Sequence, residues 1–193
     1  MSFKKSLILF FLFMCAGITA YALIAKGVYP AVIVNSDLIT AATVEKDYGA
    51  AFRYYYSALL TYDKNRVKAL DDKAARQEIK RAVLDRLIED SLIYKEARNR
   101  FGGTLDAVTA NTVSKNAGVA NLKEAAEKLY GLTLEEFQDR ILGTQARKEL
   151  LEGRMFADKE NFDGWLEDQK KNAKVFILTP GFAWDGKSVI ISE

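Results

Sequence analysis

The sequence predicts a mainly α-helical protein. An N-terminal transmembrane helix precedes a helical module with a small β element near its two ends, and a hairpin closes the chain. Three observations predict this. Residues 6–25, SLILFFLFMCAGITAYALIA, carry no charge and stand between Lys4-Lys5 and Lys26; twenty helical residues rise about 30 Å, the thickness of a bilayer's hydrocarbon core. Apolar residues then recur at three- and four-residue steps through most of the chain. β-Branched runs lie near both ends of that portion, at 31–34 and 175–178.

The uncharged run either anchors the chain or is removed as an export signal. Ala20-Tyr21-Ala22 offers the small-x-small pattern of signal peptidase sites, whereas apolar residues continue through Leu23-Ile24-Ala25, as in an anchor. The bulky Leu12-Phe13-Met14 before Cys15 does not suit lipidation. Basic residues at the N-terminal end stay inside. The expectation is a single-pass cell-membrane protein with a cytoplasmic N-terminus and residues 27–193 extracytoplasmic, or a periplasmic or secreted one if cleaved near Ala22.

Composition then narrows function. The 193 residues less the first 25 leave 168, enough for one domain with a real core. That portion holds all 26 acidic residues and, with Lys4 and Lys5 excluded, 26 of the 28 basic ones, so it is formally neutral. No excess positive field attracts a nucleic acid, and none is expected as a partner. Cys15 is the sole cysteine, so no intrachain disulfide forms. The chain has no histidine, which excludes Ser-His and Cys-His nucleophiles, histidine bases and histidine metal sites. No phosphate-binding glycine loop is present. Pairs such as Glu135-Glu136 and Glu89-Asp90 point in different directions on a helix and read as solvated faces. The sequence argues for no catalytic residue, no cofactor and no metal, hence not an enzyme.

The elements follow in order. After the linker 26–30, residues 31–34 suit a short strand, and Asn35-Ser36-Asp37 a turn. Thr40 caps a first helix to about Tyr62, whose stripe is Val44, Tyr48, Phe52, Tyr55, Leu59 and Tyr62. A second helix runs from Asp71 or Asp72 to Arg100, with Ile79, Val83, Leu84, Leu87, Ile88, Leu92 and Ile93 as a broad apolar face, and stops at Gly102-Gly103. A third covers 105–116, before Gly118, and a short fourth covers 121–130. Thr133 with Glu136 forms a capping box that opens a fifth, in which Gly143 and Gly153 permit bends. One more helix spans 162–172. The period then changes to strand, turn at Thr179-Pro180-Gly181, and hairpin at Asp185-Gly186.

Several of these segments, in this order, resemble the N-terminal helical domain of SurA-type periplasmic chaperones, shared with PpiD- and PrsA-like foldases. VIVNSDLIT at 32–40 is similar to the family's opening V-N-G-x-x-I-T strand and turn. VLDRLIEDSLIYKEA at 83–97 follows its long central helix, and YGLTLEEF at 130–137 its glycine and L-T-x-E-E-F restart. FDGWL at 162–166 through NAKV at 172–175 resembles its closing helix and strand. The likeness covers roughly residues 31–178. It implies that the strand near 32–34 pairs with that near 175–177, and that the helices form a cradle for unfolded clients. Ser36 stands where the family has a turn glycine, so Asn35 or Ser36 must take any positive φ. The parvulin isomerase domain that many relatives carry, with its paired histidines, has no room here. With the uncharged run before it and the hairpin signal after it, the likeness divides the chain into three portions: an anchor or signal at 1–26, the chaperone-like helical domain at 27–178, and a hairpin extension at 179–193.

Tyrosine and phenylalanine give broad apolar contact with a polar handle, suited to varied peptides. Tyr54 and Tyr56 beside the first helix's stripe and Tyr62 at its end are the expected client contacts, with Met155 and Phe156 as cradle-lining candidates that also suit the core. Tyr48, Phe52, Tyr55 and Leu59 are expected to pack on the second helix, Trp165 to anchor the core and Trp184 to stay partly exposed. Two functions fit. One is a membrane-anchored extracytoplasmic chaperone that binds unfolded or newly exported polypeptides without catalysis. The other is an envelope adaptor that binds one folded partner. A second copy could complete the cradle as a homodimer.

Overall fold

The computed structural model describes residues 3–116 and 121–192; the side chains of residues 3–10, Cys15, Ala16, Ala20 and Asn116 are outside that description. The protein is mainly helical, with two small antiparallel sheets. Helix α1 (Phe3–Ala25) leads through residues 26–29 into β1 (Pro30–Val34) and β2 (Asp37–Thr40), then α2 (Ala41–Tyr62). Among the described residues no helix is long and apolar enough to cross a membrane. Much of the run expected to span, residues 6–10, 15, 16 and 20, lies outside the described side chains.

Thr40 caps α2 as expected, its hydroxyl oxygen accepting from the Thr43 N–H at 3.2 Å. A tight 3₁₀ stretch (Lys64–Asp71), unforeseen in the sequence, turns the chain into α3 (Lys73–Phe101). This helix of 29 residues is the spine of the molecule, about 44 Å long. It ends at Gly102, whose φ of +56° with ψ of −137° only glycine adopts readily. Next come α4 (Leu105–Asn116) and α5 (Leu122–Ala125). Gly118, expected beyond the third helix, lies outside the described residues.

The Thr133–Glu136 capping box is formed in both directions, at 3.0 and 3.2 Å, and opens α6 (Leu134–Phe137). The chain continues without a break into α7 (Thr144–Ala157), but the joint, Gln138–Gly143, is π-helical. A Cβ on Gly143 would stand 3.1 Å from the Gln138 carbonyl oxygen, tighter than a side chain accepts without a local shift. The end of the fourth helix, Ala126–Tyr130, is π-helical too. Helix α8 (Phe162–Asn172) then returns the chain to β3 (Val175–Ile177), followed by the hairpin β4 (Phe182–Trp184) and β5 (Val189–Ile191).

The pairing implied by the family likeness is present. Strand order is β2-β1-β3, with Val32 opposite Ile177, Ile33 opposite Phe176 and Val34 opposite Val175. Asn35 takes the positive φ, +56°, and its side-chain oxygen accepts from the Lys174 N–H at 3.0 Å, tying the turn to the far end of the chain.

Three apolar clusters form the core, two of them along α3. The first packs Val32 and Val34 of the sheet on Leu84, Ile88 and Leu92, and also takes in Phe182 and Val189. The C-terminal hairpin therefore belongs to this core rather than extending from it. The Val189 N–H donates to Asp85 at 3.1 Å, and Arg81 donates to the Val189 carbonyl at 3.2 Å. The second joins Ile93 and Ala97 to Leu105, Leu151 and Met155, with Trp165 half-buried against it. The third gathers Ala50, Ala126, Leu132 and Phe137.

Candidate functional site

Helix α2 is rotated relative to its expected stripe. The residues it buries are Ala41, Val44, Asp47 and Ala50, a three-residue step that swings the expected aromatics toward the sides. Tyr48 and Phe52 still face the first turns of α3, where Lys80 lies over the Tyr48 ring at 5.8 Å and Arg76 over Phe52 at 5.5 Å. Tyr55, expected to be core, remains 47% exposed. Its rotation carries it to the rim of a cleft between α2, α3 and the two π-helical turns.

That cleft encloses about 590 Å³, within the range of sites that hold small molecules or a few side chains. Ala50, Ala51, Tyr54 and Tyr55 come from α2, and Ile79, Val83 and Ile93 from α3. Tyr130 ends one π-helical turn and Ile141 and Leu142 lie in the other. A π turn inserts a residue and re-aims side chains, and such turns concentrate at functional sites. Tyr54 stacks on Tyr130 at 5.1 Å and 17°, and Tyr130 meets Phe137 at 5.0 Å. The rim is thus an aromatic ladder rooted in the third core cluster.

The floor is charged. Asp47 is 5% exposed and both its carboxylate oxygens are taken, by Arg86 and by Arg140, each at 2.8 Å. The three residues join α2, α3 and the second π turn through one buried carboxylate. Arg86 also reaches Asp90 at 3.4 Å. Burial pushes the Asp90 carboxyl up to about 6, against the pull of Arg86 and Arg147 and with added repulsion from Asp47 and Glu89. A smaller hollow of about 350 Å³ lies on the other side of Asp47, Asp90 and Thr144, so this cluster forms a wall between two concavities. Another hollow, about 420 Å³ beside Tyr48 and Phe182, is lined chiefly by charged and polar chains and offers little apolar contact.

Of the five expected contact residues, the structure brings one to the cleft. Tyr54, 42% exposed, forms its rim. Tyr56 is exposed beyond the cleft lining, and Tyr62, 88% exposed, stands at the far end of α2. Phe156 is 84% exposed on α7, away from the cleft. Met155 takes the core alternative, fully buried against Leu151, Leu105 and Ile93, and lines no cradle. Adjacent helical positions differ by about 100°, which is why Met155 and Phe156 part company. Trp184 is half-buried under the Lys170 ammonium.

Sequence reasoning did not assign Tyr130, Ile141 and Leu142 to a site: helical spacing marks Ile141 and Leu142 only as the apolar side of the fifth helix, and a search at 3.6-residue period cannot see the π turns that aim them at the cleft. It also missed Asp47, although a single acid three residues after Val44 on a burying face was a visible signal. The comparisons leave the family open: no family model, no curated protein and no solved structure matches this chain.

Proposed function

We propose that this protein is a membrane-anchored extracytoplasmic chaperone that holds apolar stretches of unfolded or newly exported polypeptides, without catalysis. The observation that carries this reading is the cleft itself: an aliphatic groove rimmed by Tyr54, Tyr55 and Tyr130 and open to solvent. Large planar side chains bind many sequences, because they offer area at low entropic cost with no demand for a particular partner group. The buried charges below are paired within the protein, which leaves apolar contact as the main attraction for a ligand. A chain without histidine has no parvulin-type active site, in keeping with holding rather than isomerising. The likeness to SurA-type N-terminal domains supports the same reading.

The anchor is part of the proposal. Phe11, Leu12, Phe13 and Met14 are consecutive on α1 and all exposed. Steps of about 100° spread them around the whole helix, so exposed apolar surface faces every direction. Such a helix is at home in lipid. Basic flanks stay on the inner side of a membrane, so Lys4 and Lys5 support an N-terminus inside and residues 27–193 outside.

Aggregation of a chemically unfolded client, followed by light scattering with the full chain in lipid nanodiscs, tests the reading. A dose-dependent delay that weakens in Tyr54→Ser/Tyr130→Ser is expected. No delay at stoichiometric excess, with capture of one folded envelope protein instead, would turn the assignment to an adaptor.

A further inference from the structure

The three-stranded sheet has two unlike faces. Val32 and Val34 point into the first core, while Ile33 points outward between its two cross-strand neighbours, Leu38 on β2 and Phe176 on β3. Leu38 is 63% exposed and Phe176 60%. Directly opposite partners on a sheet face have Cβ atoms about 5 Å apart, so the three form one apolar row across the sheet. Leu178 extends it, its N–H donating to the Ala31 carbonyl at 2.8 Å and its side chain exposed. None of these residues belongs to the aromatic cleft.

The row begins where α1 ends. Only residues 26–29 separate the two, and the connection is pinned. The Lys26, Gly27 and Val28 N–H groups donate back to Ala22, Ile24 and Leu23 of the helix at 3.0–3.1 Å, while the Gly27 and Tyr29 carbonyls accept from Ala42 and Ala41 at 2.9 Å. Gly27 has φ of +64°, and a Cβ there would meet the Ala42 backbone nitrogen at 3.0 Å, so this junction is built around glycine. Val28 and Tyr29, both exposed, bridge the end of α1 and the row. At about 3.3 Å per residue, Ile33 lies roughly 10 Å along β1 from Pro30. The headgroup layer on each side of a bilayer is itself several ångströms deep.

We propose that the outer face of this sheet, from Tyr29 through Leu178 to Phe176 and Leu38, docks onto the surface of the bilayer that holds α1, fixing the domain and its cleft close to the membrane. This rests on the reading of α1 as an anchor. The occupant is lipid because the apolar row continues an apolar helix across a short, hydrogen-bonded junction, and Tyr29 has the amphipathic ring suited to the interface.

The test uses the full chain with Cys15→Ala, carrying one fluorescent label at Phe176→Cys, Leu38→Cys, Ile18→Cys or Phe156→Cys, in phosphatidylcholine vesicles. Iodide in the water and bromine placed high or deep in the acyl chains report depth. The expected result is several-fold weaker iodide quenching at Phe176→Cys and Leu38→Cys than at Phe156→Cys, with quenching by high bromines, and deep bromines acting on Ile18→Cys. If both sheet labels are as open to iodide as Phe156→Cys while Ile18→Cys remains deep, the anchor stands and the docking is overturned. If Ile18→Cys is open to iodide as well, both readings fall. If the sheet labels are protected from iodide, unaffected by bromine and exposed on dilution of protein in lipid, a second copy covers the face and the docking is again overturned.

Discussion

The two faces of α3 do different work with the same kind of residue. Toward the sheet, Leu84, Ile88 and Leu92 repeat every four residues, all but inaccessible, and pack in the first apolar cluster. Toward the cleft, Ile79, Val83 and Ile93 alternate with Arg86, Glu89 and Asp90; these apolar chains are buried too, but they back the wall of the cleft. Burial on the first face converts apolar area into stability at about 25 cal/mol per Å². The second backs a cleft whose exposed rim is aromatic, and the Asp47–Arg86–Arg140 network ties its walls together at the floor. A helix buried on two sides can thus serve as girder on one and as the bed of a groove on the other.

Matched substitutions on the two faces would break that comparison or sharpen it. Ile88→Ala should cost about 4 kcal/mol, since its packed surroundings cannot collapse onto the cavity. Ile79→Ala should cost about 2 kcal/mol, because one side of that residue already faces the cleft. Urea unfolding of both variants checks this, and equal costs would mean that the cleft closes in solution. Between them comes Asp47→Ala, at about 3 kcal/mol, because it leaves Arg86 and Arg140 without their shared carboxylate. That loss should respond weakly to salt, in contrast to surface pairs such as Lys123–Glu127.

A smaller effect falls on binding. Tyr54→Ser/Tyr130→Ser removes the stacked pair at the rim and should weaken capture of an apolar unfolded peptide by about tenfold, roughly 1.4 kcal/mol. Fluorescence anisotropy would measure it, and Tyr62→Ser, far from the cleft, should leave the affinity unchanged.

The smallest effect is the pH dependence of Asp90. Its carboxyl is raised to about 6 in the folded protein, above the value of about 4 expected unfolded. The folded state therefore binds more protons between those values, and stability from this group is present below pH 4 and lost as pH rises to 6. Asp90→Asn should remove that slope and stabilise the protein by about 1 kcal/mol at pH 7, the loss of the Arg86 contact offsetting part of the gain. Thermal melts across pH 4–7 check the sign; an unchanged slope would place the carboxylate in water.

Much of the scaffold was legible because its signals are local. Thr40 and the Thr133–Glu136 box cap helices through contacts three residues apart, and Gly102 stops α3 through its own φ. The cleft was far less so. Tyr54 was the one expected contact found there, while Tyr55, Tyr130, Ile141 and Leu142 took places that no pattern in the chain specifies. Asp47 takes its role only where two arginines, 39 and 93 positions away, converge on it.

Propensity, capping and the spacing of apolar residues act within a few turns of the chain, so the sequence alone determined that this protein is helical, where most helices start and stop, and that residues 6–25 carry no charge. Which face of α2 turns inward, where the π turns fall, and how one carboxylate gathers two arginines depend on how elements far apart in sequence share space. Close packing admits only one such arrangement, and that arrangement, not any single segment, opens the cleft.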